Sequence, residues 1–227
     1  GDFDDAALAV VALSNGGFVV AGSKTILEGD QNLKNAWLVL LDADGQVLAE
    51  RTYPGHEGSV ALSLANHPDD GFVVAGIKGI AKGQEQAWIF RLDDNAGIVW
   101  ERLFGAGEKA QRAHAITVFA DGGVAAAGAR QEENLSHPWA VRLDAEGQVL
   151  WESIFSGAAD AAVTSIAQLA NGGLALAGFA TSEAAGEDVW LTRLDARGNV
   201  VWQRTFGGEG DDYAHSIAAT PDGGTVF

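Results

Sequence analysis

The chain has 227 residues, 47% of them hydrophobic and 20% charged, with 30 glycines, 4 prolines and neither cysteine nor methionine. The apolar share excludes a disordered chain, and the lack of cysteine excludes a disulfide framework, a thiolate metal site and a thiol nucleophile. A formal charge of −17, from 14 basic and 31 acidic residues, argues against electrostatic capture of nucleic acid or anionic lipid.

Taken in chain order, the predicted elements recur. Residues 1–55 open with GDFDDAALAV, an acidic junction holding Asp4 and Asp5 ahead of a first strand, a. NGGFVVAG follows as a Gly-led turn and an apolar strand b. The connection TILEGDQNLKN carries Glu28 and Asp30. WLVLLD is strand c from Trp37, and DADG turns the chain into strand d. Residues 56–105 repeat the set with DDGFVVAG, the connection KGIAKGQEQ with Glu85, WIFRLD from Trp88, DDNAG and Trp100. Residues 106–157 bring Glu108, His114, DGGVAAAG, the connection RQEENLS with Glu132 and Glu133, WAVRLD from Trp139, DAEG and Trp151. Residues 158–208 bring Asp160, NGGLALAG, TSEAAGED with Glu183, Glu187 and Asp188, WLTRLD from Trp190, DARG and Trp202. Residues 209–227 begin a fifth copy with Glu209, Asp211, Asp212 and His215, and end at DGGTVF, inside strand b.

The interval is regular. Trp37, Trp88, Trp139 and Trp190 stand 51 residues apart, and Ala49, Trp100, Trp151 and Trp202 keep the same step. Strand c alternates, with Trp88, Phe90 and Leu92 on one side and Ile89, Arg91 and Asp93 on the other, while the b strands are apolar on both sides. No segment has the capped, 3.6-residue periodicity of a helix. Four strands in about 50 residues is the pattern of a β-propeller blade. The expected fold is therefore all-β: a single β-propeller array over 1–227, with four complete blades and a partial fifth. One four-stranded sheet cannot cover its own apolar faces, so stacking must bury the tryptophans. Eighteen strands close no ordinary ring. Either the chain is a piece of a longer array, or an open blade is completed by a neighbouring copy, giving an oligomer.

The stretch WLTRLDARGNVVWQRTFGGEGDDYAHSIAATPDGG resembles bacterial β-propeller repeats of the seven-bladed, SBBP-type class, and is more loosely similar to the W-x-x-x-L-D-x-x-G-x-x-x-W blades of quinoprotein-like propellers. The resemblance spans essentially the whole chain. It implies a secreted bacterial protein, extracellular, periplasmic or at the cell surface, acting as a scaffold. Three positions depart from the pattern: Ala49 for Trp, Ala96 for the turn Gly, and Ser153 for Arg.

In a propeller, the d–a and b–c connections share one face. Here they vary in length and are acidic, so the expected binding face comprises Glu28, Asp30, Glu85, Glu132, Glu133, Glu187 and Asp188, joined by His114 and His215 at equivalent places in strand a. Such a face suits a partner protein, a glycan or another copy of the chain, and disfavours anions. Glu209, Asp211 and Asp212, three carboxylates within four residues, form a candidate calcium site, set against plain capping of the inner strand. No other cofactor is expected. DADG at residues 42–45 reads as a hairpin turn. The five histidines show no zinc spacing, and no nucleophile elbow or phosphate loop is present. The expected function is a non-enzymatic interaction module. A self-assembling structural protein and an enzyme with a site at the channel mouth are the alternatives. The tryptophans are expected to pack between sheets, and a hairpin with a three-residue turn would set Trp37, Trp88 and Trp190 opposite Arg51, Arg102 and Arg204.

Overall fold

The computed structural model describes residues 4–28, 31–81, 84–105, 110–156, 159–181 and 186–227. They fall into two compact units, Gly1–Ala113 and His114–Phe227. Every regular element among the described residues is a strand.

In the first unit, β1 (Ala6–Ala12), β2 (Phe18–Glu28), β3 (Gln31–Leu41) and β4 (Val47–Tyr53) form one antiparallel sheet in that order. A second sheet follows from β5 (Ser59–Asn66), β6 (Phe72–Ala81), β7 (Gln84–Leu92) and β8 (Ile98–Phe104). β9 (Gln111–Val118) carries the chain into the second unit. There it joins β10 (Val124–Glu132), β11 (Leu135–Leu143) and β12 (Val149–Ile154). A fourth sheet comprises β13 (Ala159–Gln168), β14 (Leu174–Thr181), β15 (Glu187–Leu194) and β16 (Val200–Phe206). The short pair β17 (Ala218–Ala219) and β18 (Thr225–Val226) ends the chain.

Each c–d hairpin is built by the Asp of its LD dipeptide. The Asp42 carboxylate accepts the N–H groups of Asp44 and Gln46, at 3.0 and 2.8 Å, and Gly45 follows in the left-handed region at φ 77°. Asp93 and Asp195 repeat this, holding Asn95 and Gly97, and Arg197 and Asn199. An Asx turn of this kind fixes where the hairpin reverses, and DADG is such a turn. Ala96 keeps the left-handed backbone at φ 61°, so the missing glycine leaves the turn shape intact at a conformational cost.

The apolar faces close as stacking requires. In the first unit, Leu38, Tyr53, Leu64, Phe72, Trp88 and Phe90 form a common core between the two sheets, and Trp88 stacks on Phe90 with centroids 3.9 Å apart. In the second, Phe155, Val163, Leu176 and Trp190 do the same, while Ala214 and Ile217 cover the outer face of the fourth sheet. Trp88, Trp139 and Trp190 are wholly buried.

Strand b ends its apolar run in glycine for a steric reason. Gly22, Gly76 and Gly178 pair with Trp37, Trp88 and Trp190 on one side. On the other side, a bulge in strand a brings a carbonyl over them. A Cβ at these positions would lie 1.9 Å from the oxygen of Ala6, Val60 or Ala162.

The expected Trp/Arg facing pairs do not form. A bulge in every d strand leaves Leu48, Val99, Leu150 and Val201 unpaired, shifting the register by one. Trp37, Trp88 and Trp190 therefore face Thr52, Leu103 and Thr205. The second tryptophan series faces arginine instead: Trp100 pairs with Arg91, Trp151 with Arg142 and Trp202 with Arg193. In the first sheet both members are absent, and Leu40 faces Ala49.

The strand-c indole N–H groups of the first three copies find a repeated partner. Trp37 donates to Glu50 at 2.9 Å, Trp88 to Glu101 at 2.8 Å and Trp139 to Glu152 at 2.8 Å. Lys24 and Lys78 on strand b pair with Glu50 and Glu101 and sit over the indole faces. The fourth copy lacks the set: Gln203 stands where Glu is expected, and Trp190 Nε1 is buried without an acceptor.

Candidate functional site

The first unit contains a cleft of about 500 Å³ at the b–c end of its sheets. The chain between β4 and β5 is tied down there. Glu57 N–H donates to the Gly79 carbonyl at 3.1 Å, and Gly79 N–H donates to the Gly58 carbonyl at 2.8 Å. Buried Ser59 fixes the start of β5, accepting from Ala36 N–H and donating to the Tyr53 carbonyl. Gly58, at φ 93°, lies so close to Lys34 that a Cβ would be 2.7 Å from its carbonyl oxygen. Half-buried Val60 and Ile77 supply an apolar floor, and Lys34, Glu57, Glu85 and Arg112 stand around it. Arg112 grips Glu85 through Nε and Nη2, at 2.8 and 2.7 Å, while Lys34 and Glu57, the latter with His56 Nδ1 at 3.7 Å, stand as opposite charges on the rim.

The second unit closes the corresponding junctions with aspartate. Asp160 accepts Ser136 N–H at 3.1 Å, and Asp211 accepts Glu187 N–H at 3.0 Å; each carboxylate reaches strand c of the sheet before it. Gly58 occupies the equivalent position in the first unit and offers no carboxylate. The substitution of Gly for Asp is the sequence signal of the cleft that repeat alignment contains.

The other expected binding-face residues divide among several places. Asp30 and the side chain of Glu28 lie outside the described residues. Glu85 lines the cleft. Glu132 is ion-paired to Arg130 at 3.4 Å, and Glu133 is exposed at a hairpin tip with φ 55°. Glu187 accepts the Tyr213 hydroxyl, which pushes that phenol up to about 12. Asp188 packs against Gly207 with Oδ1 buried and unpaired. His114 Nδ1 lies 3.0 Å from the Val163 carbonyl, and His215 is exposed and stacked beside Tyr213. At the candidate calcium site, Asp211 serves Glu187, Asp212 accepts Gly208 N–H at 3.2 Å, and Glu209 is exposed. Among the described residues no three carboxylate or imidazole groups converge as metal ligands. No helix among them is long and apolar enough to cross a membrane.

No family model and no curated protein matches the chain. Solved structures do. Puromycin hydrolase aligns with a TM-score of 0.50 at 15% identity, over 98% of this chain and 33% of that one. Sqt1 from Chaetomium thermophilum aligns with a TM-score of 0.47 at 12% identity, over 97% of this chain and 66% of that one. Sqt1 bound to the N-terminus of ribosomal protein L10 aligns at 0.37 and 13%, over 96% and 80%. The chain thus spans about a third of the puromycin hydrolase and just under two thirds of the first Sqt1 structure. Its sheets are β-propeller blades. The similarity is one of fold, and no match carries it to the SBBP-type class. The expected extracellular, periplasmic or cell-surface bacterial location is withdrawn as a correction: it rested on the resemblance to the SBBP-type class, which no match carries, and the aligned structures share the fold alone.

Proposed function

We propose that the chain is a non-enzymatic interaction module whose cleft in the first unit takes a short segment of a protein partner. The observation that carries this reading is the cleft itself: an apolar floor of Val60 and Ile77 inside a rim that places the basic Lys34 and the acidic Glu57, beside His56, as opposite charges. Its volume lies within the roughly 300–1,000 Å³ usual for binding pockets. Its walls are anchored by backbone hydrogen bonds, so little ordering is required on binding. A segment with one apolar side chain between a basic and an acidic residue complements it. Rim charges of this kind steer association and set the register of the bound segment more than they add affinity.

A selection of random peptides on the immobilised chain tests this reading. Enrichment of basic–apolar–acidic segments on the parent protein, lost on Glu57→Lys and on Lys34→Glu, is the expected result. Equal enrichment on all three proteins would refute it. Retention of glycans from an array, without peptides, would replace the peptide by a sugar.

A further inference from the structure

The cleft of the first unit lacks a contact that the second unit makes twice, and the missing group is a carboxylate. Lys34, Glu85, Ser136 and Glu187 stand 51 residues apart, each near the start of a strand c. In the second unit the N–H of this residue meets an aspartate of the following copy: Ser136 donates to Asp160 at 3.1 Å and Glu187 to Asp211 at 3.0 Å. In the first unit Gly58 takes the aspartate's place opposite Lys34, and it keeps the left-handed backbone of Asp160, at φ 93° against 41°. The Lys34 N–H still points there. Ala36 N–H, two residues on and therefore on the same side of the strand, donates to Ser59 Oγ at 2.9 Å. Thr25, the residue paired with Lys34 on β2, gives its own N–H to Asp5 at 3.1 Å, so this pair exchanges no ladder bonds.

The Lys34 side chain lacks a partner too. At the same repeat position Glu85 is paired with Arg112 and Glu187 accepts the Tyr213 hydroxyl, whereas the residue in the place of Arg112 and Tyr213 opposite Lys34 is Val60. Lys34 is exposed and forms no ion pair among the described residues. Lys34, Gly58 and Val60 all line the cleft. At the next junction Ala110 stands in the aspartate's place, but there Glu85 itself brings a carboxylate and Arg112 holds it.

We infer that the main-chain N–H and the ammonium of Lys34 together receive an aspartate carboxylate of the bound segment, in the role that Asp160 and Asp211 fill from within the chain. This rests on the cleft binding a segment, as proposed above, and it fixes which end of that segment lies at Gly58. Hydrogen bonds to an ionised group are about twice as strong as neutral ones, and here one carboxylate takes two donors. Gly58 cannot supply the group, since a Cβ there would lie 2.7 Å from the Lys34 carbonyl oxygen. The carboxylate therefore comes from another molecule, through the cleft. Of the two acidic side chains on the rim, Glu85 is neutralised by Arg112, while Glu57, with His56 Nδ1 at 3.7 Å, opposes a second negative charge and attracts the basic end of the segment.

The probe is N-acetyl-aspartate N-methylamide, with its asparagine counterpart as control, followed by amide NMR on the full chain. A saturable downfield shift of the Lys34 amide is expected with the aspartate probe alone, while the Ser136 and Glu187 amides, already bonded to Asp160 and Asp211, stay in place. Lys34→Met keeps the N–H and removes the ammonium; it should weaken the probe about threefold, as loss of an exposed ion pair does. Glu57→Gln should tighten it. Val60→Glu, which offers Lys34 a carboxylate from within, should weaken it as Lys34→Met does; should that half-buried substitution fail to fold, the exposed Lys34→Met carries the test. Peptides selected on the cleft separate this inference from the reading it rests on. Selected peptides that bind equally well with aspartate changed to asparagine would overturn the inference and leave the cleft reading standing. The Lys34 shift without any selected peptide would support the carboxylate contact and overturn the segment reading. No saturable Lys34 shift up to about 50 mM, beyond the millimolar binding usual for so small a ligand, would overturn the inference, as would an equal shift with the asparagine probe.

Discussion

Glu101 is the most informative residue to perturb, because it does two separable things. Its carboxylate accepts the indole N–H of wholly buried Trp88 at 2.8 Å and pairs with Lys78 at 3.0 Å. Glu101→Gln keeps an acceptor for the indole and removes the ion pair; the fourth sheet's Gln203 is drawn to the Thr192 hydroxyl, whereas Phe90 faces Glu101 and offers no such competitor. That pair is partly exposed, so its loss is expected to cost at most about 1 kcal/mol. Glu101→Ala leaves a buried donor unsatisfied, which costs roughly 1–3 kcal/mol. The Glu101 side chain is 41% exposed, so water can follow the deletion, and the lower half of that range is expected. In urea denaturation followed by tryptophan fluorescence, with a slope of about 2 kcal/mol/M, the alanine variant should lose about 0.5–1 M in midpoint and the glutamine variant clearly less. Equal midpoints for the two variants, at unchanged slope, would refute the assignment of the stabilisation to the indole hydrogen bond.

The fourth sheet offers the reverse experiment: Gln203→Glu should give Trp190 Nε1 its missing acceptor and raise the unfolding midpoint by the equivalent of about 1 kcal/mol. Ala96→Gly should stabilise by roughly 1 kcal/mol in the same assay, since alanine at φ 61° is strained and glycine is not. Glu50 is held below the usual carboxylate range, first by the Lys24 hydrogen bond and then by the Trp37 N–H. Its contribution is therefore complete above the unfolded carboxylate range and is lost as pH falls through its folded value; Glu50→Gln should flatten the acid limb of a stability–pH curve. Burial pushes Tyr53 up to about 12 while its hydroxyl donates to the Ala96 carbonyl at 2.7 Å. Stability tied to it should be whole below about pH 10 and fall between about 10 and 12; tyrosinate absorbance rising near pH 10 in the folded protein would contradict this.

Much of the fold is legible in the chain because each repeat states it again. Trp88, Trp139 and Trp190 at a fixed interval can share one environment only if the sheets stack, and the Asp of each LD dipeptide marks a hairpin. The strand register is less legible. The bulged residues Leu48, Val99, Leu150 and Val201 are ordinary strand formers, so nothing in their chemistry announces an unpaired position, and the Trp/Arg expectation failed there. The glutamate acceptors could have been found: Glu50, Glu101 and Glu152 each follow a strand-c tryptophan by 13 residues, and Gln203 marks the copy that lacks one. At the candidate site, charge was a poor guide. Glu85 and Glu132 are paired to arginine, and Asp160 and Asp211 are spent on backbone N–H groups. Acidic composition in the loops thus overstated the free negative charge they present.

The cleft of the first unit opens where a repeat loses a bridging group. Gly58 stands where Asp160 and Asp211 cross to the preceding strand, and the charged cleft opens beside it. Ala49 and Leu40 stand where Trp151 and Arg142 pair at the turn end of the second unit. In a repeat array the scaffold is specified by every copy, so a single copy can give up a packing group while the other sheets retain theirs. The proposed binding cleft thus lies at a position where one copy departs from others. The shared positions, the strand-c tryptophans above all, maintain the blades.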